Sequence, residues 1–298
     1  MKKIVKKILI IVSVIVLILG SAYIIRRNNY IYLTQFGATT SRQMMGYAIK
    51  TKNNEIVLID GGTQGDAQQL EDYIISNGGN VKAWFITHIH SDHAGAFEII
   101  TQNPNINIEK IYMSIEDKDW YLKNEESRKE DVDDFFDVLD NNPELKSKIV
   151  EPQINEKIKI DNITVSILGI KNPEITTNAI NNSSMVLKAR VNNKTILFLG
   201  DTGAESSEKL IKNQGKNLKS DIVQMAHHGQ NGATEELYKI VKPEICLWPT
   251  PDWLWRNDIN GTEDSGPWKT KETREWMEKL KVKQHYIEKD GTAKIKIF

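Results

Sequence analysis

The apolar run Ala83 to Thr87 ends in His88, His90, Asp92 and His93, four ligand-capable side chains within six residues. Packing does not account for that density, and it constrains the fold: the run must be a strand whose end opens into a cleft. In an extended stretch His88 and His90 point to the same side and can chelate one ion, while Asp92 and His93, at the turn into a helix, can face a second. Gly95 just beyond permits a tight backbone there. The chain has one cysteine, Cys246, so neither an intramolecular disulfide nor a thiolate-rich zinc cluster is available, and ligands must be imidazoles and carboxylates. Cys246 lies in the apolar run Ile245-Cys246-Leu247-Trp248 and reads as a small core residue.

Three further positions have the same setting. Asp60 follows Ile56-Val57-Leu58-Ile59 and precedes Gly61-Gly62; Asp201 follows Ile196-Leu197-Phe198-Leu199-Gly200; His227-His228-Gly229 follows Ile222-Val223-Gln224-Met225-Ala226. Strand ends that feed loops are where α/β scaffolds gather site residues. Taken singly, an aspartate before glycine is commonly a turn former.

Strand-like segments rich in β-branched and aromatic residues are 30–36, 45–50, 56–59, 83–87, 110–113, 163–168, 185–191, 195–199, 221–225, 244–248, 285–288 and 293–298. Helix-like spacing covers 66–76, 95–101, 129–139, 204–212, 235–241 and 270–280. This interleaving predicts a layered α/β fold. Asn192-Asn193 supplies a hairpin turn, and the acidic stretch Asp131 to Asp140 reads as an amphipathic helix with a solvated face. Without low-complexity tracts or Pro/Gly-rich linkers, residues 30–298 are expected to form one domain.

Lysine plus arginine total 39 against 40 for aspartate plus glutamate, so the basic excess of a strong nucleic-acid binder is missing; nucleic acid enters only as a substrate held by the site. The amino terminus differs from the rest. Lys2, Lys3, Lys6 and Lys7 precede the uncharged run Ile8 to Ile25, which Arg26 and Arg27 close. As a helix the run is about 27 Å long, close to bilayer thickness. Residues 1–27 therefore read as a single-pass membrane anchor with the domain extracytoplasmic, or, because Gly20-Ser21-Ala22 offers a cleavage position, as the signal peptide of a secreted protein.

Leu58-Ile59-Asp60-Gly61-Gly62, the His-x-His-x-Asp-His segment from His88 to His93, Phe198-Leu199-Gly200-Asp201 and Ala226-His227-His228-Gly229, in this order, resemble the metallo-β-lactamase-fold hydrolases. Asn181-Asn182-Ser183-Ser184 before a hairpin makes the likeness greatest to the hydrolase domain of competence-type DNA-uptake proteins. The resemblance implies a four-layer αββα sandwich. It implies that His88 and His90 bind a first metal, that Asp92, His93 and His227 bind a second, that Asp201 bridges both, and that Asp60 orients a ligand histidine. Here the chain departs from the family: no histidine lies between His93 and His227, where many members supply another first-site ligand, leaving water, Asn182 or Ser184 to fill the gap. A further departure is Ser265-Gly266-Pro267-Trp268, which stands where the subgroup carries a histidine beside proline. Asp92, Asp201 and His228 are the catalytic candidates, His228 either as proton donor or as a residue that packs on the backbone. His285, in an alternating run, reads as a strand residue.

Two divalent ions, zinc or manganese, about 3.5 to 4 Å apart and bridged by an aspartate, generate hydroxide near neutral pH and stabilise both oxygens of an in-line displacement. The expectation is a two-metal phosphodiesterase acting with metal-bound hydroxide on a nucleic-acid, nucleotide or envelope phosphodiester. The alternatives are a hydrolase of a lactone, ester or amide, and a surface binding module without turnover. Trp248, Trp253, Trp255 and Trp268, with Arg256 among them, are either a platform for a base, sugar or choline group or aromatics that pin an irregular segment.

Overall fold

The structure is a computed structural model that describes residues 10–18, 20 and 31–297. Its first sheet is built from β1 (Ile31–Gln35), β2 (Gly46–Lys50), β3 (Ile56–Asp60), β4 (Asn80–Ile86), β5 (Asn107–Ile108), β6 (Ile111–Met113) and β7 (Ile149–Val150). The second comprises β8 (Lys157–Ile160), β9 (Ile163–Gly169), β10 (Val186–Val191), β11 (Lys194–Phe198), β12 (Ile222–Gln224), β13 (Ile245–Trp248) and β14 (Gln284–Ile287). The last strand, β15 (Ala293–Ile297), returns to the first sheet beside β1. The orders are β15-β1-β2-β3-β4-β6-β7, with β5 also on β4, and β14-β13-β12-β11-β10-β9-β8.

Burial explains the layering. All five residues of β3 are buried, as a strand covered on both faces requires. Ile31, Leu33, Ile49, Val57, Ile59 and Phe85 of the first sheet pack against Ile163, Val165, Leu187 and Phe198 of the second. The outer face of the first sheet is covered by α1 (Ala67–Ser76), α2 (Ser91–Ile100), α3 (Lys118–Asn124) and α4 (Lys129–Asp140), with Trp84, Phe97, Tyr121 and Phe135 at the contact. The outer face of the second is covered by α5 (Ala204–Gln214), α6 (Glu235–Val241) and α7 (Thr270–Lys279), which bury Leu210, Leu237 and Met277 against Leu197, Val223 and Trp248. Three apolar interfaces thus separate four layers, the αββα sandwich expected.

β3, β4 and β6 run parallel, as do β11 to β14. Parallel strands place their carboxyl ends at one edge, so Asp60, His88, Asp201 and His228 arrive at a common cleft. The hairpin between β10 and β11 turns at Asn192, whose φ of 53° is left-handed. The acidic stretch is α4, which buries Val132, Phe135 and Leu139 and leaves its acidic face outward.

The differences from expectation are local. β5 and β7 have two residues each, too short for a periodic signal, and β8 is a lysine-alternating edge strand. The helix after His90 starts at Ser91 rather than at Gly95, so Asp92 and His93 lie in its first turn. Among the expected platform residues, Trp248 is fully buried in the core and Trp255 packs on it at 5.2 Å. Arg256 is held by Asp258 at 3.0 Å. Of the expected anchor at residues 1–27, only 10–18 and 20 belong to the described residues; these are helical, and Ile10, Ile11, Val12, Val14, Ile15, Val16, Leu17 and Ile18 are exposed. The remainder of that run lies outside the described residues, and no helix among the described residues is long and apolar enough to cross a membrane.

Glu98 of α2 is a buried acid. It accepts from Gln64 Nε2 at 3.0 Å through one oxygen, while the other has no partner. Burial pushes its pKa from 4.5 up to about 7, opposed by the Gln64 bond and reinforced by Asp134 and Asp131. The folded state therefore favours the neutral carboxyl, and the stability this gives is complete below pH about 4.5 and lost as pH rises through about 7. Urea unfolding of wild type and Glu98→Gln across that window should show the wild type losing stability relative to the variant; parallel curves would refute it.

Candidate metal centre

The site begins with Asp60. Its φ of 53° turns the end of β3 so that the carboxylate faces inward, where it accepts from Thr87 N at 2.7 Å and Thr87 Oγ1 at 2.8 Å and lies 2.8 Å from His93 Nδ1. Asp60 thereby fixes the end of β4 and the imidazole of His93 together. His93 Nε2 is then directed at Asp201 Oδ1, 3.1 Å away. Asp201 is held from behind: Gln224 Oε1 accepts from Leu199 N and Gly200 N, and Ser184 Oγ accepts from Asp201 N at 2.9 Å.

Two groups of ligand atoms result, each with its members within 4.8 Å of one another: His88, His90 and Asp201, and Asp92, His93 and His228. In the first, His88 Nε2 lies 3.2 Å from His90 Nδ1 and 3.8 Å from Asp201 Oδ2, while His88 Nδ1 faces Thr87 and Ser184 hydroxyls at 3.2 and 3.3 Å. In the second, His228 Nε2 lies 3.2 Å from Asp92 Oδ2 and 3.6 Å from Asp201 Oδ2, with Nδ1 2.8 Å from Pro249 O. Asp201 thus belongs to one group and touches both.

These residues fit divalent ions. His93 Nε2, His228 Nε2 and Asp201 Oδ1 are buried and converge on one region, and among the described residues none of them makes a well-aligned hydrogen bond. His93 and His228 each have the other ring nitrogen against an oxygen, the disposition that fixes a ligand imidazole. Electrostatics divide the imidazoles between the two groups. Burial lowers His90 to about 4 and His88 well below its ordinary value, leaving neutral imidazoles. Burial would raise Asp201, but His93, His228 and His227 overcome it and hold the carboxylate ionised. His93 is raised because Asp201 and Asp60 outweigh burial.

The geometry differs from the expected division of labour at the adjacent histidines. His228, expected as proton donor, stands with Asp92 and His93; His227, expected there, is 3.9 Å from Asp201 Oδ2 and mostly buried. Both are left-handed, with φ of 52° and 55°, so consecutive side chains diverge. Ser184 Oγ lies against His88 Nδ1, on the ring edge away from His90 and Asp201. Asn182 does not face the first group: its Oδ1 accepts from Ser206 Oγ at 2.8 Å and its Nδ2 donates to Thr177 O.

Several participants were not singled out in the sequence. Glu125 Oε1 is 3.8 Å from His90 Nε2, and its other oxygen accepts from Ile180 N. Asn181 Nδ2 is 3.3 Å from His227 Nε2, and Gln43 Nε2 donates to Asp92 Oδ2 at 2.6 Å. Thr87 adjoins the histidine segment and Gln224 is a polar residue in an apolar strand, both readable signals; nothing local marks Glu125.

Residues 46–247 match the family model described as the metallo-beta-lactamase superfamily, two thirds of the chain. The chain belongs to that superfamily. ComE operon protein 3 of Bacillus subtilis is 25% identical over 169 residues, covering 55% of this chain and 19% of that protein, so the chain spans about a fifth of the relative's length. The superfamily fold recurs in solved structures. The metallo-beta-lactamase fold protein YhfI of Bacillus subtilis has a TM-score of 0.54 at 12% identity, covering 89% of this chain and 100% of that one. Igni18, a metallo hydrolase of Ignicoccus hospitalis, has 0.51 at 13% identity, covering 90% and 99%. CmlA, a diiron beta-hydroxylase of Streptomyces venezuelae, has 0.53 at 10% identity, covering 90% and 54%.

Asp60→Asn removes the charge behind His93 while preserving size. Metal affinity should fall roughly 10- to 100-fold, measured by competition with a chromogenic chelator, with the far-ultraviolet circular dichroism spectrum unchanged. Undiminished affinity would exclude the role given to Asp60.

Proposed function

We propose that this metal-dependent hydrolase of the metallo-β-lactamase fold is a two-metal phosphodiesterase. The observation that carries the reading is the placement of Asp201 against both ligand groups. His88, His90 and Asp201 would hold one ion and Asp92, His93 and His228 the other, each zinc or manganese. Bound there, two divalent ions supply an activated water and stabilise the charge developing on a transferring phosphoryl group.

The chain's own residues do the positioning. Asp60 and Pro249 O orient the imidazoles of His93 and His228. Gln43 holds the Asp92 carboxylate, and Gln230 Nε2 in turn donates to Gln43 Oε1 at 3.1 Å, tying the loop before β2 to the loop that bears both histidines. His227, with Asn181 Nδ2 3.3 Å from its Nε2, would bind and orient a phosphoryl oxygen. The substrate classes are a nucleic-acid, nucleotide or envelope phosphodiester. The likeness to ComE operon protein 3 and the metallo hydrolase description of Igni18 support the reading, while the diiron CmlA leaves iron to be tested beside zinc and manganese. We further propose that the amino-terminal run anchors the protein in the cell membrane with the domain outside; the exposed apolar side chains of residues 10–18 support this.

The purified chain should bind two divalent ions and hydrolyse bis(p-nitrophenyl) phosphate in preference to lactone and ester substrates. Chelation should abolish turnover, and Asp201→Ala should lower kcat/KM by on the order of 10³-fold, several kcal/mol of transition-state stabilisation. Preference for the lactone would replace the proposal with the carboxylic-ester alternative; bound ions without turnover of either class would make the chain a binding module.

A further inference from the structure

The strands that bring Asp201 and His228 to the cleft carry a different chemistry at their opposite ends. A cavity of about 570 Å³ opens at the amino-terminal ends of β11 to β14, lined by Lys188, Arg190, Lys219, Lys242, Lys281 and Lys283 against only two carboxylates, Asp221 and Glu244. A second cavity, of about 600 Å³, shares Lys188 and Arg190 and adds Lys157. Both carboxylates are engaged. Asp221 accepts from Thr195 N at 2.8 Å and Thr195 Oγ1 at 2.7 Å and pairs with Lys194; Glu244 pairs with Lys194 and Lys283. Among the described residues, Arg190, Lys219, Lys242 and Lys281 are exposed and have no carboxylate partner. Burial, and to a lesser extent the neighbouring Arg190, lower the pKa of Lys188. The chain as a whole is balanced at 39 cationic to 40 acidic residues, so this excess is made by the fold, which gathers four separate segments at one end.

The chain enters the domain at the same end. β1 is antiparallel to β2 and β2 to β3, so β1 starts at the end away from Asp60. Its first residue, Ile31, pairs with Ile297, whose carbonyl accepts from Asn192 Nδ2 at 3.3 Å, and Asn193 beside it lines the first cavity. In sequence, Arg26, Arg27 and the apolar run lie just before this point. The metal centre is at the far end of the same strands, about 17 Å away along the five-residue β11.

We propose that this basic end docks on the anionic phosphates of the lipid surface that the amino-terminal helix enters, which turns the catalytic cleft away from the bilayer. This rests on the anchor proposed above. Fixed cations near an anionic surface are attracted over about one Debye length, roughly 10 Å at 0.1 M salt. Chain entry beside the groove holds it within a short tether of the surface, which favours lipid phosphate over a free polyanion.

The test uses the full chain reconstituted with vesicles of phosphatidylcholine alone or containing phosphatidylglycerol, with lysine acetylation read by mass spectrometry. Labelling of Lys219, Lys242 and Lys281 should slow several-fold on the anionic vesicles, recover at high salt, and leave Lys123 on the other helix layer unaffected. The combined variant Lys219→Glu, Lys242→Glu and Lys281→Glu should still float with both vesicles but lose the protection at Lys283. Flotation with both and equal labelling would overturn the docking while leaving the anchor intact. Failure to float with either would overturn the anchor and the docking together. Equal protection by inorganic phosphate, or protection by a single-stranded oligonucleotide but not by anionic vesicles, would also overturn the proposal.

Discussion

A buried carboxylate without compensation is among the most costly groups a protein can hold. Asp201 is such a group, 1% exposed at the end of β11, and four imidazoles gather around it: His93 at 3.1 Å, His228 at 3.6 Å, His88 at 3.8 Å and His227 at 3.9 Å. The rest of the architecture is arranged so that this convergence can occur. Two sheets must face each other, their parallel strands must end at one edge, and helices must cover both outer faces so that continuous apolar runs such as β3 are buried on both sides.

A second ring of contacts keeps the first from collapsing. Asp60 ties β4 to His93, Gln224 and Ser184 cradle the turn at Gly200, and Pro249 O fixes His228. These bonds reach across gaps of 17 to 33 residues in the chain, those of Asp60 at the end of the first sheet and the others at the end of the second, and Met185 N, donating to Thr87 O at 2.8 Å, joins the two halves. Such a scaffold holds imidazoles and ionised carboxylates side by side without a solvent shell, which is the condition for tight, defined coordination.

Much of this was readable in the sequence, and for a physical reason. Asp60, the segment from His88 to His93, and Asp201 each follow a short apolar run, so the local pattern already says that a polar group leaves a buried strand. The strands 46–50, 56–60 and 186–191 were legible for the same reason. What was not legible depends on backbone handedness and distant contacts. No composition rule says that His227 and His228 both take left-handed φ and so exchange the places expected of them. Glu125 reaches His90 only because α3 packs over the first sheet, and Asn182 turns to Ser206 because the start of α5 passes beside it. β8 was hidden by its lysines, whose alternation suits an exposed edge.

The left-handed pair at His227 and His228 has an evolutionary consequence. Both imidazoles hang from one rigid stretch of backbone, and both lie within 4 Å of Asp201. A substitution that shifts one of them therefore drags its neighbour. Substitution at either position is thereby constrained by its neighbour, His228 placed to hold an ion and His227 to meet the substrate.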